Sequence, residues 1–150
     1  MRIKKNKSEN KKIRNATPCE FNGIKFKSIL EKNCYIELKR ANLEVKYEPT
    51  KFIISEGTRV KKPYLYFKKG IPIIEQNKKL INITWTYDFL VTNNKGHNFV
   101  VEAKGNLNDI FPIKFKMFRQ LMDEHDEYDG IILVHTKRDC LEAIKWIKNN

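Results

Sequence analysis

Apolar positions change their period several times along this chain, and each change marks an element. From Phe26 the stretch "FKSILEKNCYIELKRANL" repeats Leu30, Cys34, Leu38 and Ala41 at helical spacing, with lysine and arginine on the other faces. That pattern predicts an amphipathic helix, and Ser28 or a residue just before it is placed to cap its start. "EVKYEP" and "KFIIS" follow as short strand-like runs separated by Pro49 and Thr50. Residues 55–79 hold two prolines, two glycines and many lysines around "YLYF" and "IPII", which predicts extra strands or a long hairpin. Residues 84–105, "TWTYDFLVTNNKGHNFVVEAKG", give two apolar runs joined by a polar turn whose Asn and Gly suit a hairpin.

Further on, "PIKFKMFRQLMDEH" reads as a helix with Pro112 in its first turn and Ile113, Met117 and Leu121 recurring every fourth residue. "YDGIILVHT" is a continuous apolar run bounded by Gly130, the signature of a buried strand. "RDCLEAIKWIKNN" closes the chain as a helix with Leu141, Ile144 and Ile147 inward and Trp146 as a further inward candidate. The expected class is α/β (α+β mixed): a central mixed sheet flanked by helices, in the order roughly α-βββ-α-β-α. Residues 18–150 form one expected domain behind a flexible basic tail, residues 1–17.

Charge changes this picture most. Thirty lysines and arginines against eighteen acids leave a net charge of +12, and a field of that sign favours polyanions, chiefly nucleic acid. The other reading is a lysine-rich surface that serves solubility alone. Cys19, Cys34 and Cys140 are odd in number and in no CxxC pattern, so they are expected as reduced thiols in a cytoplasmic protein. No apolar run approaches a membrane span and no signal peptide is expected. There is no Walker loop, GxSxG or HExxH, so nucleotide hydrolysis, acyl transfer and metalloprotease chemistry have no support.

The hairpin carries the candidate chemistry. Asp88 interrupts Tyr87 and Phe89, and Glu102 and Lys104 interrupt Val100, Val101 and Ala103. Residues two apart on a strand share a face, so Glu102 and Lys104 project together, and strand pairing can bring Asp88 beside Glu102. Burying such charges costs several kcal/mol each without compensation. A divalent cation resolves the conflict: Mg2+ needs only one or two carboxylates and completes its shell with water and phosphate. Lys104 can then hold an attacking water or a developing phosphorane charge, because an ammonium has no lone pair to compete for metal. Gly105 ends the strand where a DNA backbone could approach. Glu31, on the flank of the helical stripe, is a third carboxylate able to reach the sheet. The plain alternative is a surface hairpin in which Asp88 or Glu102 pairs with Lys104, with Glu31 as a surface residue touching Tyr35. Lys114 and Lys116, with Arg119 after them, are candidate phosphate contacts. "DEHDEYD" at 123–129 reads as a solvated turn, and His97 and His135 carry no assigned chemistry.

Taken together, "FKSILE", "VKYEP…FII", "TYDFLV", "FVVEAKG" and "IKFKMF" resemble the PD-(D/E)xK nuclease superfamily over roughly residues 21–135. The similarity is to small phage endonucleases of the Holliday-junction-resolving endonuclease I type and to the catalytic domain of TnsA-like transposon-end endonucleases. The resemblance implies a restriction-endonuclease-like fold. It implies catalytic roles for Glu31, Asp88, Glu102 and Lys104, and a metal held by Asp88, Glu102, Glu31 and the Ala103 carbonyl. It also implies Mg2+-dependent hydrolysis leaving 5′-phosphate and 3′-hydroxyl ends, with Mn2+ as the alternative ion and no small-molecule cofactor. The chain departs from the pattern where Tyr87 stands in place of the usual proline. A phage or prophage enzyme acting on branched DNA in a host-cell cytoplasm follows as an expectation, with a homodimer if a junction is cut symmetrically. Two competing expectations are a basic nucleic-acid-binding protein that no longer cuts, and the cutting subunit of a recombination or transposition complex.

Overall fold

A computed structural model describes residues 16–150, so all but the last two residues of the expected tail lie outside the described residues. The elements in chain order are β1 (Cys19–Phe21), β2 (Ile24–Phe26), α1 (Ile29–Arg40), β3 (Glu44–Tyr47), β4 (Lys51–Ser55), β5 (Arg59–Val60), β6 (Tyr64–Lys68) and β7 (Ile71–Glu75). Then come β8 (Lys78–Lys79), β9 (Ile83–Thr86), β10 (Phe89–Thr92), β11 (Asn98–Ala103), α2 (Phe111–Met122), β12 (Gly130–Val134) and α3 (Lys137–Asn149). The expected mixed α and β class with a helix-flanked central sheet is present. That sheet runs β12-β11-β10-β3, with β11 parallel to β12 and the other neighbours antiparallel.

Alternation along β11 sorts its residues between two cores. Phe99, Val101 and Ala103 pack with Cys34 and Leu38 of α1 and with Cys140, Ala143, Ile144 and Ile147 of α3. Val100 packs the other way, with Phe111, Phe118 and Met122 of α2. The sheet is therefore covered on both faces, which is why β11 reads as an almost unbroken apolar run. Glu102 is the one charged residue on that strand.

Helix α1 forms where its stripe predicts. Ser28 is the N-cap, its hydroxyl accepting from the Glu31 amide at 3.1 Å. Ser28→Ala is expected to cost about 1 kcal/mol, read as a lower urea midpoint at unchanged m-value. Helix α2 differs from its expected face. Phe111, Phe118 and Met122 are buried, whereas Ile113 is 66% exposed. The aromatic positions 111, 115 and 118 stack around Trp85 and override the every-fourth-residue pattern that begins at Ile113. On α3 the inward set is Cys140, Ala143, Ile144 and Ile147, while Leu141 and Trp146 are exposed. Trp146 still lies edge-on to Phe99.

One hairpin goes beyond the expected order, and a second lies where extra strands or a long hairpin are expected. β1–β2 precedes α1 and turns on Asn22 and Gly23, both at positive φ. Residues 59–79 form a ribbon, β5–β8 leading into β6–β7, that turns on Lys69 and Gly70 at φ 51° and 81°. Its base closes on Gly57, where a Cβ would stand 2.0 Å from the Leu80 carbonyl oxygen, so only glycine fits that approach.

Candidate functional site

The site grows out of a slip in strand register. β10 pairs with β3 through Phe89 and Tyr47, and the same two chain segments continue as β9 and β4, paired through Thr86 and Lys51. Between those pairs, residues 48–50 face only residues 87–88, one extra residue on one side. Such a bulge bends both strands and rotates the residues beyond it. Glu48 takes a left-handed φ of 44°, and its amide donates to the Asp88 carbonyl at 2.8 Å. The slip turns Tyr87 into the α2 core, whereas Phe89, two residues on, lies in the opposite core.

The freed residue is Asp88. One step beyond the β10–β11 ladder it stands across from Glu102, so the two side chains leave the sheet on one side. Its Oδ2 accepts from the Ala103 amide at 2.7 Å, and that bond holds the carboxylate against the strand end. Asp88 and Glu102 are each only 7% exposed. Glu102 Oε2 is buried and has no hydrogen-bond partner. Burial, and next the charge of Glu31, push the Asp88 carboxyl up to about 7, against the pull of the Ala103 amide. Burial and then the charge of Asp88 push Glu102 up to about 9, against the attraction of Lys104.

Glu31 is buried at the start of α1, not at the surface where the plain alternative puts it. Its Oε1 accepts from the Ser28 hydroxyl at 2.8 Å. Its Oε2 accepts from the Tyr47 phenol at 2.6 Å and from the Lys27 amide at 3.1 Å. The glutamate thus holds the capping Ser28 in place, and its charge acts on Asp88. Burial and the hydrogen bond to Glu31 together raise the Tyr47 phenol well above its ordinary range.

Glu102 forms part of the floor of a cleft of about 500 Å³ whose wall carries Lys27, Lys51, Lys104 and Lys114. Lys104 Nζ sits 5.6 Å from the centre of the Phe111 ring, and Lys114 Nζ 5.9 Å from that of Trp85. Lys27 pairs with Glu48. Of the expected phosphate contacts, Lys114 is therefore in this cleft. Lys116 and Arg119 instead line a separate cleft of about 590 Å³ with Tyr128 and Asp129. Lys27, Lys51 and Glu48 join the site without any signal in the sequence, because what brings them there is pairing across twenty or more residues. His135 Nδ1 lies 2.6 Å from the Lys104 carbonyl oxygen and so buttresses the strand end.

Among the described residues, no three His, Cys, Asp or Glu side chains converge closely enough to hold a metal ion alone. The donors present nonetheless fit a hard cation that keeps most of its waters. Asp88 and Glu102 are neighbouring carboxylates able to offer oxygen donors, and the orphaned buried oxygen of Glu102 lacks the partner that burial demands. Glu31 already accepts three hydrogen bonds, which leaves one lone pair, on Oε1, for any further partner.

A family model described as "Protein of unknown function (DUF1064)" matches residues 7–131. No curated protein and no solved structure matches the chain. Among the described residues no helix is long and apolar enough to cross a membrane.

Proposed function

The chain belongs to the DUF1064 family of proteins of unknown function, and from that footing we propose that it is a metal-dependent endodeoxyribonuclease. One observation carries the reading: two adjacent buried carboxylates, one with an unpartnered oxygen, beside a cleft walled by four lysines. Carboxylates this deep, with their affinity for protons raised, make an unfavourable structural element unless a cation shares them. Of the four lysines, Lys27 pairs with Glu48, and the others form no ion pair among the described residues. They suit the phosphates of a nucleic-acid strand.

Asp88 and Glu102 would hold Mg2+, with the Ala103 carbonyl as a third donor and Mn2+ as the substitute ion. The ion would supply Lewis acidity and a lowered pKa for bound water. The chain's own residues do the rest. Asp88 is fixed through Oδ2 by the Ala103 amide, which leaves Oδ1 to meet a cation. Lys104, on the same face as Glu102, neutralises negative charge building on the phosphoryl oxygens. Lys114 and Lys51 position the scissile phosphate against that pair. Glu31 raises the negative potential at Asp88 and so favours a cation there.

Supercoiled plasmid and a synthetic four-way junction, each with Mg2+ or EDTA, test the proposal. Nicking or junction cleavage with Mg2+ and none with EDTA is expected. Cleavage that survives EDTA overturns it, as does intact DNA after prolonged incubation with Mg2+ and Mn2+.

A further inference from the structure

The net charge of the chain is confined to two segments. Residues 1–17 carry seven cations and one acid. Residues 59–79 carry Arg59 and the lysine pairs 61–62, 68–69 and 78–79 against Glu75 alone. Each segment is +6, which accounts for the whole +12 and leaves the rest of the chain neutral. The second segment is the β5–β8 and β6–β7 ribbon, no residue of which belongs to either core.

This ribbon is also apolar in an unusual place. Leu65 pairs with Ile74 and Phe67 with Pro72, so these four side chains share one face of the ribbon. Leu65, Phe67 and Ile74 are 53%, 65% and 62% exposed. A lone two-stranded ribbon is at best marginally stable in water, so a partner laid on this face would stabilise it. A second copy of the chain would bring +6 against +6. A polyanion meets the same surface with complementary charge.

We propose that the 59–79 ribbon is a DNA-gripping arm, laid in a groove of duplex DNA with its basic ends on the flanking phosphates. This deepens the nuclease reading and rests on DNA being the substrate. The dimensions agree. A two-stranded ribbon fits a major groove about 12 Å wide. The lysines at 61–62 and 68–69 lie about 20 Å apart along an extended strand, far enough to reach both phosphate rims. Between them, Leu65, Phe67 and Ile74 meet base edges and thymine methyl groups, the apolar features of that groove. The closure at Gly57, with the Gly57 amide donating to Asn82 Oδ1 at 2.8 Å and the Leu80 amide to the Thr58 carbonyl at 2.9 Å, fixes the root of the arm just ahead of β9. β9 in turn carries Trp85 into the lysine cleft, so arm and cleft engage one substrate.

The test compares the full chain with a variant carrying Lys61→Gln, Lys62→Gln, Lys68→Gln and Lys69→Gln. Binding to a 30-base-pair duplex is measured across salt concentrations, alongside thermal unfolding, solution mass and Mg2+-dependent cleavage at saturating protein. The arm is remote from both cores, so an unchanged melting temperature is expected. Each lost phosphate contact lowers the slope of log affinity against log salt by about 0.9, so a slope smaller by roughly 3 to 4 is expected, with at least about tenfold weaker binding near 0.1 M salt. Cleavage at saturation is expected within about threefold of wild type, since no substituted residue touches the cleft. Equal slopes and equal affinities overturn the arm even if both proteins cut DNA. Loss of slope when neither protein cuts DNA upholds the arm and refutes the nuclease reading. An unchanged slope accompanied by a fall from dimer to monomer overturns the DNA assignment and makes the ribbon an interface between copies.

Discussion

Glu102→Gln is expected to reduce DNA cleavage by about 10³-fold or more while leaving DNA affinity nearly unchanged and raising the melting temperature of the metal-free protein. The three effects share one cause. Glutamine keeps the shape of the side chain but cannot offer a charged oxygen to a cation, so a metal ligand and its transition-state stabilisation are lost together. On the proposed reading DNA affinity comes from the cations of the cleft, the arm and the amino-terminal residues, and the substitution removes none of them. Stability rises because the wild-type carboxyl is buried beside Asp88 with Oε2 unpartnered. Folding at neutral pH must therefore bring a proton to a group that is ionised in the unfolded chain. Removing that burden is worth a few kcal/mol without metal, against which the amide still lacks a partner. Activity on plasmid and differential scanning calorimetry in EDTA check the two halves. A glutamine variant that cuts like wild type, or that melts lower in EDTA, contradicts the assignment.

The second large effect is a pH dependence that runs opposite to ordinary acid denaturation. The Asp88 carboxyl stands at about 7 in the folded protein against an ordinary 3.8, and that of Glu102 at about 9 against 4.5. Both folded values lie above the unfolded ones, so between roughly pH 4 and pH 9 the native state binds more protons. Stability then falls as pH rises through that window. The fall is expected to total several kcal/mol between pH 5 and pH 9 in EDTA. Relief of self-repulsion as the +12 chain nears its isoelectric point works the other way and makes the sign informative. Millimolar Mg2+ replaces the protons and is expected to restore most of the loss at pH 9 while doing little at pH 5. Urea unfolding at both pH values, with and without metal, measures it. The double variant Asp88→Asn, Glu102→Gln should show a nearly flat profile. A wild-type profile that is flat or rising in EDTA contradicts the electrostatics assigned to the site.

Local signals in the sequence reach as far as local physics does. The cap at Ser28, the stripe through Cys34 and Leu38, and the run at 130–134 are written in neighbouring residues, and each element stands where those residues place it. The placement of Val100 and Glu102 on one side of β11, opposite Val101 and Ala103, follows from a period of two and needs no tertiary knowledge. The β1–β2 hairpin carries a strong turn signal in Asn22-Gly23, but its three-residue strands are too short to show alternation.

The features that stayed hidden depend on partners far along the chain. The slip that frees Asp88 is a mismatch between two pairings, 47 with 89 and 51 with 86, and neither strand alone records it. Glu31 looks like a residue at the border of a helical stripe, and its burial arises from Tyr47, sixteen residues away. The α2 face departs from its pattern because Phe111, Phe115 and Phe118 answer to Trp85, whose position depends on the same bulge. Charge is legible in amount but not in place. Only the pairing of 59–79 reveals that half of the excess sits on one projecting ribbon.

The central claim is that Asp88 and Glu102 share a cation. Titration of the protein with Mn2+, followed by the loss of the free-ion signal in electron paramagnetic resonance, tests it without reference to any substrate. Wild-type protein at pH 8 should remove Mn2+ from solution, release protons as it does so, and yield the ion to excess Mg2+. The isosteric variant Asp88→Asn, whose side-chain carbonyl can still accept from the Ala103 amide, should bind at least about a hundredfold more weakly. Equal uptake by the two proteins, or none by wild type with or without added DNA, would show that these carboxylates do not form a metal site.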